Sequence, residues 1–126
     1  GGGACRARDP ATNETTTLVE VRERGTHYTK PVLIPDSAMT VQGVAALILE
    51  RFERDNHSPL YRGVQGGLRK DWSRGRLNLY RFYPHMSNQR DALYGAASLL
   101  SDERVRDLLR DSPPPEGCVR LEAIFV

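Results

Sequence analysis

The chain has 126 residues and a mass of 14.1 kDa, and 39% of its side chains are hydrophobic while 27% are charged. A chain of this length forms one domain that buries roughly two-thirds of its unfolded surface, so it is too large to be a mini-protein that depends on disulfides or metal. No apolar run approaches the roughly 20 residues that cross a bilayer, and the first residues lack the apolar core of a secretory signal. These properties predict a cytoplasmic domain.

The basic residues are almost all arginine. Of the 18 basic residues only Lys30 and Lys70 are lysines, and the other 16 are arginines. Arginine pairs through a planar fork with carboxylates and phosphates and stacks on aromatic rings. Because 16 acidic residues are interleaved and the net charge is only +2, the chain produces little long-range field. Nucleic acid is therefore not the expected partner, and a nucleic-acid-binding domain remains the alternative.

The beginning of the chain has little to bury. Residues 1–16 are rich in Gly, Arg, Asp, Pro, Asn and Thr. Such a composition does not repay the entropy lost on ordering. The sequence predicts a flexible leader over residues 1–16 and one domain over residues 17–126.

A β-hairpin is predicted directly after this leader. Residues 17–24 alternate between apolar and polar side chains, as in a half-buried strand, and Gly25 supplies a turn. Residues 28–35 form the second strand, in which Pro31 has no N–H to donate to a neighbour. We therefore expect the second strand to lie at an edge of the sheet.

A helix follows, with Thr40 at its N-cap position, where a hydroxyl accepts from the unpaired amides of the first turn. The residue before Pro59 disfavours helical geometry, which ends the element near Asn56. Its apolar residues recur at helical spacing and are expected to pack on the sheet: Val41, Val44, Ala45, Ile48 and Phe52.

The second half of the chain is less regular. Residues 60–76 mix aromatic residues and glycines, which predicts a short strand and a loop. Residues 77–83 are aromatic-rich and alternate as a strand. Residues 88–100 carry apolar residues at helical spacing, which predicts a helix. A short helix is predicted to begin at Ser101, where acidic residues favour a helix N-terminus, and residues 119–126 form a last strand.

Two segments carry a resemblance to a known fold. Residues 34–48, Ile-Pro-Asp-Ser-Ala-Met-Thr-Val-Gln-Gly-Val-Ala-Ala-Leu-Ile, are similar to the passage from second strand to helix in the ubiquitin family. Residues 100–109, Leu-Ser-Asp-Glu-Arg-Val-Arg-Asp-Leu-Leu, followed by the last strand, resemble the end of the Phox-and-Bem branch. The resemblance implies an α+β, ubiquitin-like β-grasp: a mixed four- to five-stranded sheet packed on one main helix, with a second short helix. Residues 60–98 extend this pattern.

The residues able to bind metal or attack a substrate are scattered. His27, His57 and His85 are about 30 residues apart, so no short spacing places two ligands together. Cys5 and Cys118 lack a Cys-x-x-Cys spacing, which predicts free thiols in a reducing compartment. We therefore expect no metal, no cofactor and no enzymatic activity.

The remaining candidate is a surface for a protein partner. In a β-grasp sheet the first and last strands are parallel neighbours, so alternation places aliphatic and arginine side chains on the face away from the helix. Arginine is enriched among residues that dominate binding energy. The predicted partner-binding residues are Leu18, Arg22, Trp72, Tyr80, Tyr83, Arg120 and Ile124.

The predicted function follows from this surface and from the resemblance. We expect a non-enzymatic protein-protein interaction module that binds a protein or peptide. Similar N-terminal domains occur on cytoskeletal scaffold proteins, so the resemblance implies one domain of a larger intracellular scaffold. The edge strand offers a second docking mode, in which a partner strand extends the sheet.

Overall fold

A computed structural model describes residues 5–25, 29–56, 77–95, 100–110 and 117–125 of the chain. Those parts contain six β-strands and two α-helices. In chain order the elements are β1 (Arg6–Arg8), β2 (Thr15–Glu23), β3 (Thr29–Pro35), α1 (Val41–Asn56), β4 (Leu77–Tyr83), β5 (Gln89–Tyr94), α2 (Asp102–Arg110) and β6 (Val119–Phe125).

The six strands form one mixed sheet around β2. Strand β3 pairs antiparallel with β2 along residues 16–22. On the other side of β2, β6 runs parallel to residues 19–23 and β1 runs antiparallel to residues 15–17. Strand β4 is antiparallel to β6, and β5 is antiparallel to β4. Among the described strands, β1, β3 and β5 each pair with one other strand and are therefore the edges, and the edge position predicted for the strand with Pro31 is confirmed.

Both helices contribute to a single core on one face of the sheet, which makes the protein an α+β fold and confirms the predicted fold class. The predicted apolar stripe of α1 is buried through Val44, Ala45, Ile48 and Phe52. The buried core residues contributed by the strands and by α2 are Val19, Val21, Val32, Ile34, Leu77, Leu79, Leu93, Val105, Leu108, Leu109, Val119, Leu121 and Ala123.

The first turn of α1 is held by two side chains. As predicted, Thr40 caps it, since its Oγ1 accepts a hydrogen bond from the N–H of Gly43 at 3.0 Å. A Cβ at position 43 would collide with the carbonyl oxygen of Ala38, so the close approach of this turn requires glycine. The carboxylate of Asp102, in the first turn of α2, accepts from the N–H of Val41 at 2.9 Å and ties the two helices together.

The predicted flexible leader is wrong for the described residues before position 17. Strand β1 pairs with β2, and Cys5 is joined by a disulfide to Cys118. The connection to β2 is an ordered turn in which the N–H of Asn13 donates to the carbonyl of Asp9 at 2.7 Å. The ordered unit thus begins before residue 17, because backbone pairing and a covalent link replace the missing apolar burial.

The helix predicted over residues 88–100 is also wrong where the structure describes it. Residues 89–94 form β5, which pairs with β4 with an irregularity in register at Leu79 and Tyr80. Ser87 and Asn88 have φ values of 57° and 58°, which set the turn of a β4–β5 hairpin. The sheet consequently has six strands in place of the expected four or five, and the prediction for residues 60–76 lies outside the described part of the chain.

Candidate functional site

The face of the sheet opposite the two helices, called the outer face below, is the best candidate for a binding surface. Side chains alternate along each strand, so the buried residues of β2, β4 and β6 define the helix side and their neighbours define the outer face. No described helix covers the outer face. Its side chains include Pro31 and Leu33 on β3, Leu18, Glu20 and Arg22 on β2, Arg120, Glu122 and Ile124 on β6, Tyr80 and Phe82 on β4, and Arg90 on β5.

A depression of about 520 Å³ crosses the middle of the outer face. Its rim includes Arg22 and Arg120, both exposed, and an apolar part is supplied by Pro31 and Phe82. The Nε atom of Arg120 lies 3.6 Å from Oε2 of Glu20, its neighbour on β2. The depression therefore combines an apolar floor with guanidinium groups, which suits an extended segment that has both apolar and acidic side chains.

The floor beside the depression is fixed by a two-point ion pair. Arg90 binds Glu122 through Nε to Oε1 at 2.7 Å and through Nη2 to Oε2 at 3.2 Å. The guanidinium carbon of Arg90 also lies 5.0 Å from the centre of the Phe82 ring. The hydrogen bond to Glu122 raises the pKa of Arg90. This pair holds Phe82 in place and neutralises one of the two acidic side chains of the described outer face.

Most of the predicted partner-binding residues lie on this face. Leu18, Arg22, Tyr80, Arg120 and Ile124 are all there, because the predicted alternation and the parallel pairing of β2 with β6 are both present. The structure brings Arg22 and Arg120 to the same depression.

Two predicted residues are not part of this arrangement. Tyr83 lies on the opposite face from Tyr80, since the two are three positions apart on one strand. Trp72 is outside the described residues. The residues that the prediction missed are Phe82 and Arg90. The alternation of β4 could have identified Phe82, whereas Arg90 was assigned to a helix that is not present.

Tyr83 belongs to a polar cluster on the helix side of the sheet. The guanidinium carbon of the fully buried Arg81 lies 4.3 Å from the centre of the Tyr83 ring. Burial, a hydrogen bond from the phenol to Asp91 and the charge of Asp91 raise the pKa of Tyr83 to about 12, against the lowering effect of Arg81. The phenol therefore stays protonated at neutral pH and acts as a hydrogen-bond donor rather than as a nucleophile.

A second, smaller depression of about 360 Å³ follows the sheet edge between β3 and α1. Pro31, Leu33 and Leu47 supply its apolar wall, and Glu50 lies on the helix side. The side chain of Leu33 is conspicuous here because the residue is 60% exposed. At this edge Pro31 and the inward-pointing, buried Lys30 both limit pairing with a further strand, so the side-chain groove is a better docking feature than the backbone edge.

The structure corrects the prediction of free thiols. Cys5 and Cys118 form a disulfide across a separation of 113 residues, and no cysteine is free. Within the described ranges no three His, Cys, Asp or Glu side chains are grouped so as to hold a metal ion. Neither described helix has the length and apolar character needed to span a membrane.

Comparison of the chain with models of protein families, with curated proteins and with solved structures finds no match. The fold is compatible with a β-grasp, since it has a mixed sheet with one main helix and a second short helix.

Proposed function

We propose that this chain is a non-enzymatic, ubiquitin-like β-grasp module that binds an extended, acidic and partly apolar segment of another protein. Support for the β-grasp comes from the β2–β3 hairpin, the helix α1 that follows it, and the parallel pairing of β2 with β6. Support for the binding mode comes from the outer face, and above all from the depression between Arg22 and Arg120.

The charge of the outer face favours an acidic partner. Among its described residues, Arg22, Arg90 and Arg120 are set against Glu20 and Glu122. Glu122 is fully engaged by Arg90 and its side chain is only 5% exposed, so it projects little negative charge toward a partner. A partner carboxylate that approaches the depression therefore meets the two exposed guanidinium groups, which are suited to two-point hydrogen bonding.

The shape of the outer face favours an extended segment. The depression runs across neighbouring strands, and Pro31 on β3 and Phe82 on β4 offer apolar contacts on its two sides, with β2 and β6 between them. An extended peptide presents alternate side chains to one surface, so acidic residues can alternate with aliphatic ones along it.

Binding of single-stranded nucleic acid is less well supported by the arrangement of aromatic residues. Such binding uses aromatic side chains as a continuous stacking platform beside a basic groove. Tyr80 and Tyr83 lie on opposite faces of the sheet, so these two rings do not form one platform. Phe82 shares the outer face with Tyr80, but the guanidinium group of Arg90 lies over its ring.

The test measures binding of labelled model peptides by fluorescence anisotropy. One peptide alternates glutamate with valine, a second has glutamine in place of glutamate, and a third has lysine. We expect the acidic peptide to bind more tightly than the other two, and the variant R22E/R120E to weaken its binding by about tenfold or more. R104E is the control for charge reversal on another surface, because Arg104 is exposed on α2, away from the outer face.

Two results would overturn the proposal. One is equal affinity of R22E/R120E and the unaltered protein for the acidic peptide. The other is tighter binding of a single-stranded oligonucleotide than of the acidic peptide, with an affinity that falls steeply as salt is raised. The cytoplasmic and cytoskeletal location stays a prediction. The disulfide counts against it, because disulfides persist in oxidising compartments.

A further inference from the structure

The first strand is held to the rest of the sheet by little besides its covalent link. Strand β1 has three residues, half-buried or exposed, and in the described part of the chain it pairs with β2 alone. Outside the ladder, Oγ1 of Thr16 donates to the carbonyl of Ala7 at 3.1 Å. Arg6 lies 3.8 Å from Asp36, and both side chains are about one-third exposed, so this ion pair is weak. Without a further constraint, β1 buries too little to repay its ordering.

The disulfide supplies that constraint at a defined place. Because β1 and β6 both pair with the same side of β2, they lie end to end along it. Cys5 directly precedes β1, and Cys118 directly precedes β6. The bond therefore fixes the free end of β1 beside the start of β6 and keeps it next to residues 15–17.

The space around Cys5, at the start of β1, is closely packed while the bond is intact. Cys5 is buried, and the gap that remains beside it, lined also by Thr17, Leu109 and Val119, is only about 10 Å³. The main body of the sheet does not depend on this packing. From Val19 onward β2 is paired on both sides, with β3 and with β6, and it carries the core.

We propose that the Cys5–Cys118 disulfide is a redox latch whose reduction releases β1 and opens the edge of β2 at residues 15–17, while the remaining sheet stays folded. The reductant is a dithiol. One of its thiolates attacks Sγ of Cys118, the less buried of the two cysteines, and displaces the thiolate of Cys5, which takes up a proton. The second thiol of the reductant then resolves the mixed disulfide. Two electrons reach the protein, which ends with two thiols, and the dithiol becomes a disulfide.

The experiment is residue-resolved hydrogen exchange, followed by NMR, on the oxidised protein, the dithiol-reduced protein and the variant C5S/C118S. We expect amides of residues 6–8, and those of residues 15–17 that face β1, to exchange at least about tenfold faster in the last two samples. Amides of residues 79–82, in the middle of the β4 ladder, are the internal control: their exchange follows the overall stability of the protein and stays far slower than that of residues 6–8. Reoxidation should restore the slow exchange at residues 6–8.

Two outcomes would refute the latch. If residues 6–8 exchange equally slowly with and without the bond, the ladder alone holds β1. If residues 6–8 and residues 79–82 exchange at the same rate once the bond is gone, both open only through global unfolding, so the disulfide is a general structural link and no local release exists. The Cys-to-Ser variant separates the effect of the missing bond from any effect of the reductant itself.

Discussion

Arg90 and Glu122 form a two-point ion pair that reaches across β4, the strand lying between their own strands β5 and β6. The contacts are 2.7 Å and 3.2 Å, and the side chain of Glu122 is only 5% exposed whereas that of Arg90 is 38% exposed. A carboxylate so buried depends on its partner, because removing one member of a buried pair leaves an uncompensated charge. The pair therefore fixes both the sheet edge and the position of Phe82 on the outer face.

Replacing Arg90 should lower the stability of the protein, and by more the more of its side chain is removed. R90K keeps the charge but loses the planar fork, and we expect it to lower the free energy of unfolding by about 1 kcal/mol. R90A leaves Glu122 without its partner and should cost about 2 kcal/mol, less than for a fully buried pair because Arg90 is partly exposed. Urea unfolding followed by circular dichroism measures both, with R104A as the control. A stability of R90A equal to that of R104A would contradict this account.

The contact between the helices gives a second prediction. Asp102 both accepts from the N–H of Val41 and lies in the first turn of α2, where a negative charge is favourable. We expect D102A to lower the free energy of unfolding by about 1 kcal/mol and the melting temperature by about 4 °C. E103A removes a neighbouring acidic residue of the same turn but no bond to α1. A thermal scan in which the two variants melt together would show that the bond to Val41 contributes nothing.

Elements with a strong local pattern could be predicted from the sequence. Strand β4 and helix α1 form where the sequence shows the periodicity of a strand and of a helix. Thr40 caps the helix as its residue type indicates. Strand β5 was missed because its few apolar residues also fit a helical spacing. What makes this segment a strand is the hairpin turn with left-handed backbone at Ser87 and Asn88, which lies outside the strand itself.

Features that depend on distant parts of the chain could not be predicted. The pairing of Cys5 with Cys118 depends on β1 and β6 lying end to end beside β2, a relation that sequence spacing does not carry. The outer-face positions on β2 and β6 could be predicted because the alternation of these strands is clear. Arg90 could not be placed there, because its position follows from the pairing of β5 with β4.

Titration of free thiols tests whether the disulfide is present. In denaturant without reductant, titration with a thiol reagent should find none per chain, and after reduction it should find two. The bond closes nearly the whole chain into a loop, so C5S/C118S should lower the free energy of unfolding by about 2–5 kcal/mol, mainly through the entropy of the unfolded state. C5S alone should expose one thiol. Two thiols in the unreduced protein would exclude the bond and, with it, the latch.

Tyr83 should make stability fall in strongly alkaline solution. Its pKa is about 12 in the folded protein, raised first by burial and then by its hydrogen bond to Asp91, and 10.0 is the ordinary value expected of the unfolded chain. Between about pH 10 and pH 12 the unfolded chain therefore binds fewer protons than the folded protein, so a rise in pH favours unfolding. The stabilisation that Tyr83 contributes is fully present below pH 10 and is lost as pH rises through 12. Because the group is partly exposed, solvent screening reduces the expected loss to about 1 kcal/mol.

The variant Y83F isolates this contribution from the other tyrosines. Phenylalanine keeps the ring that stacks on Arg81 but has no proton to lose and no hydrogen bond to Asp91. Absorbance of tyrosinate near neutral to alkaline pH should show a late component, centred near 12, in the unaltered protein and not in Y83F. Urea unfolding at successive pH values should then show a smaller alkaline loss of stability for Y83F. If the two proteins lose stability equally over this pH range, Tyr83 ionises as it does in the unfolded chain, and the hydrogen bond to Asp91 does not hold its proton.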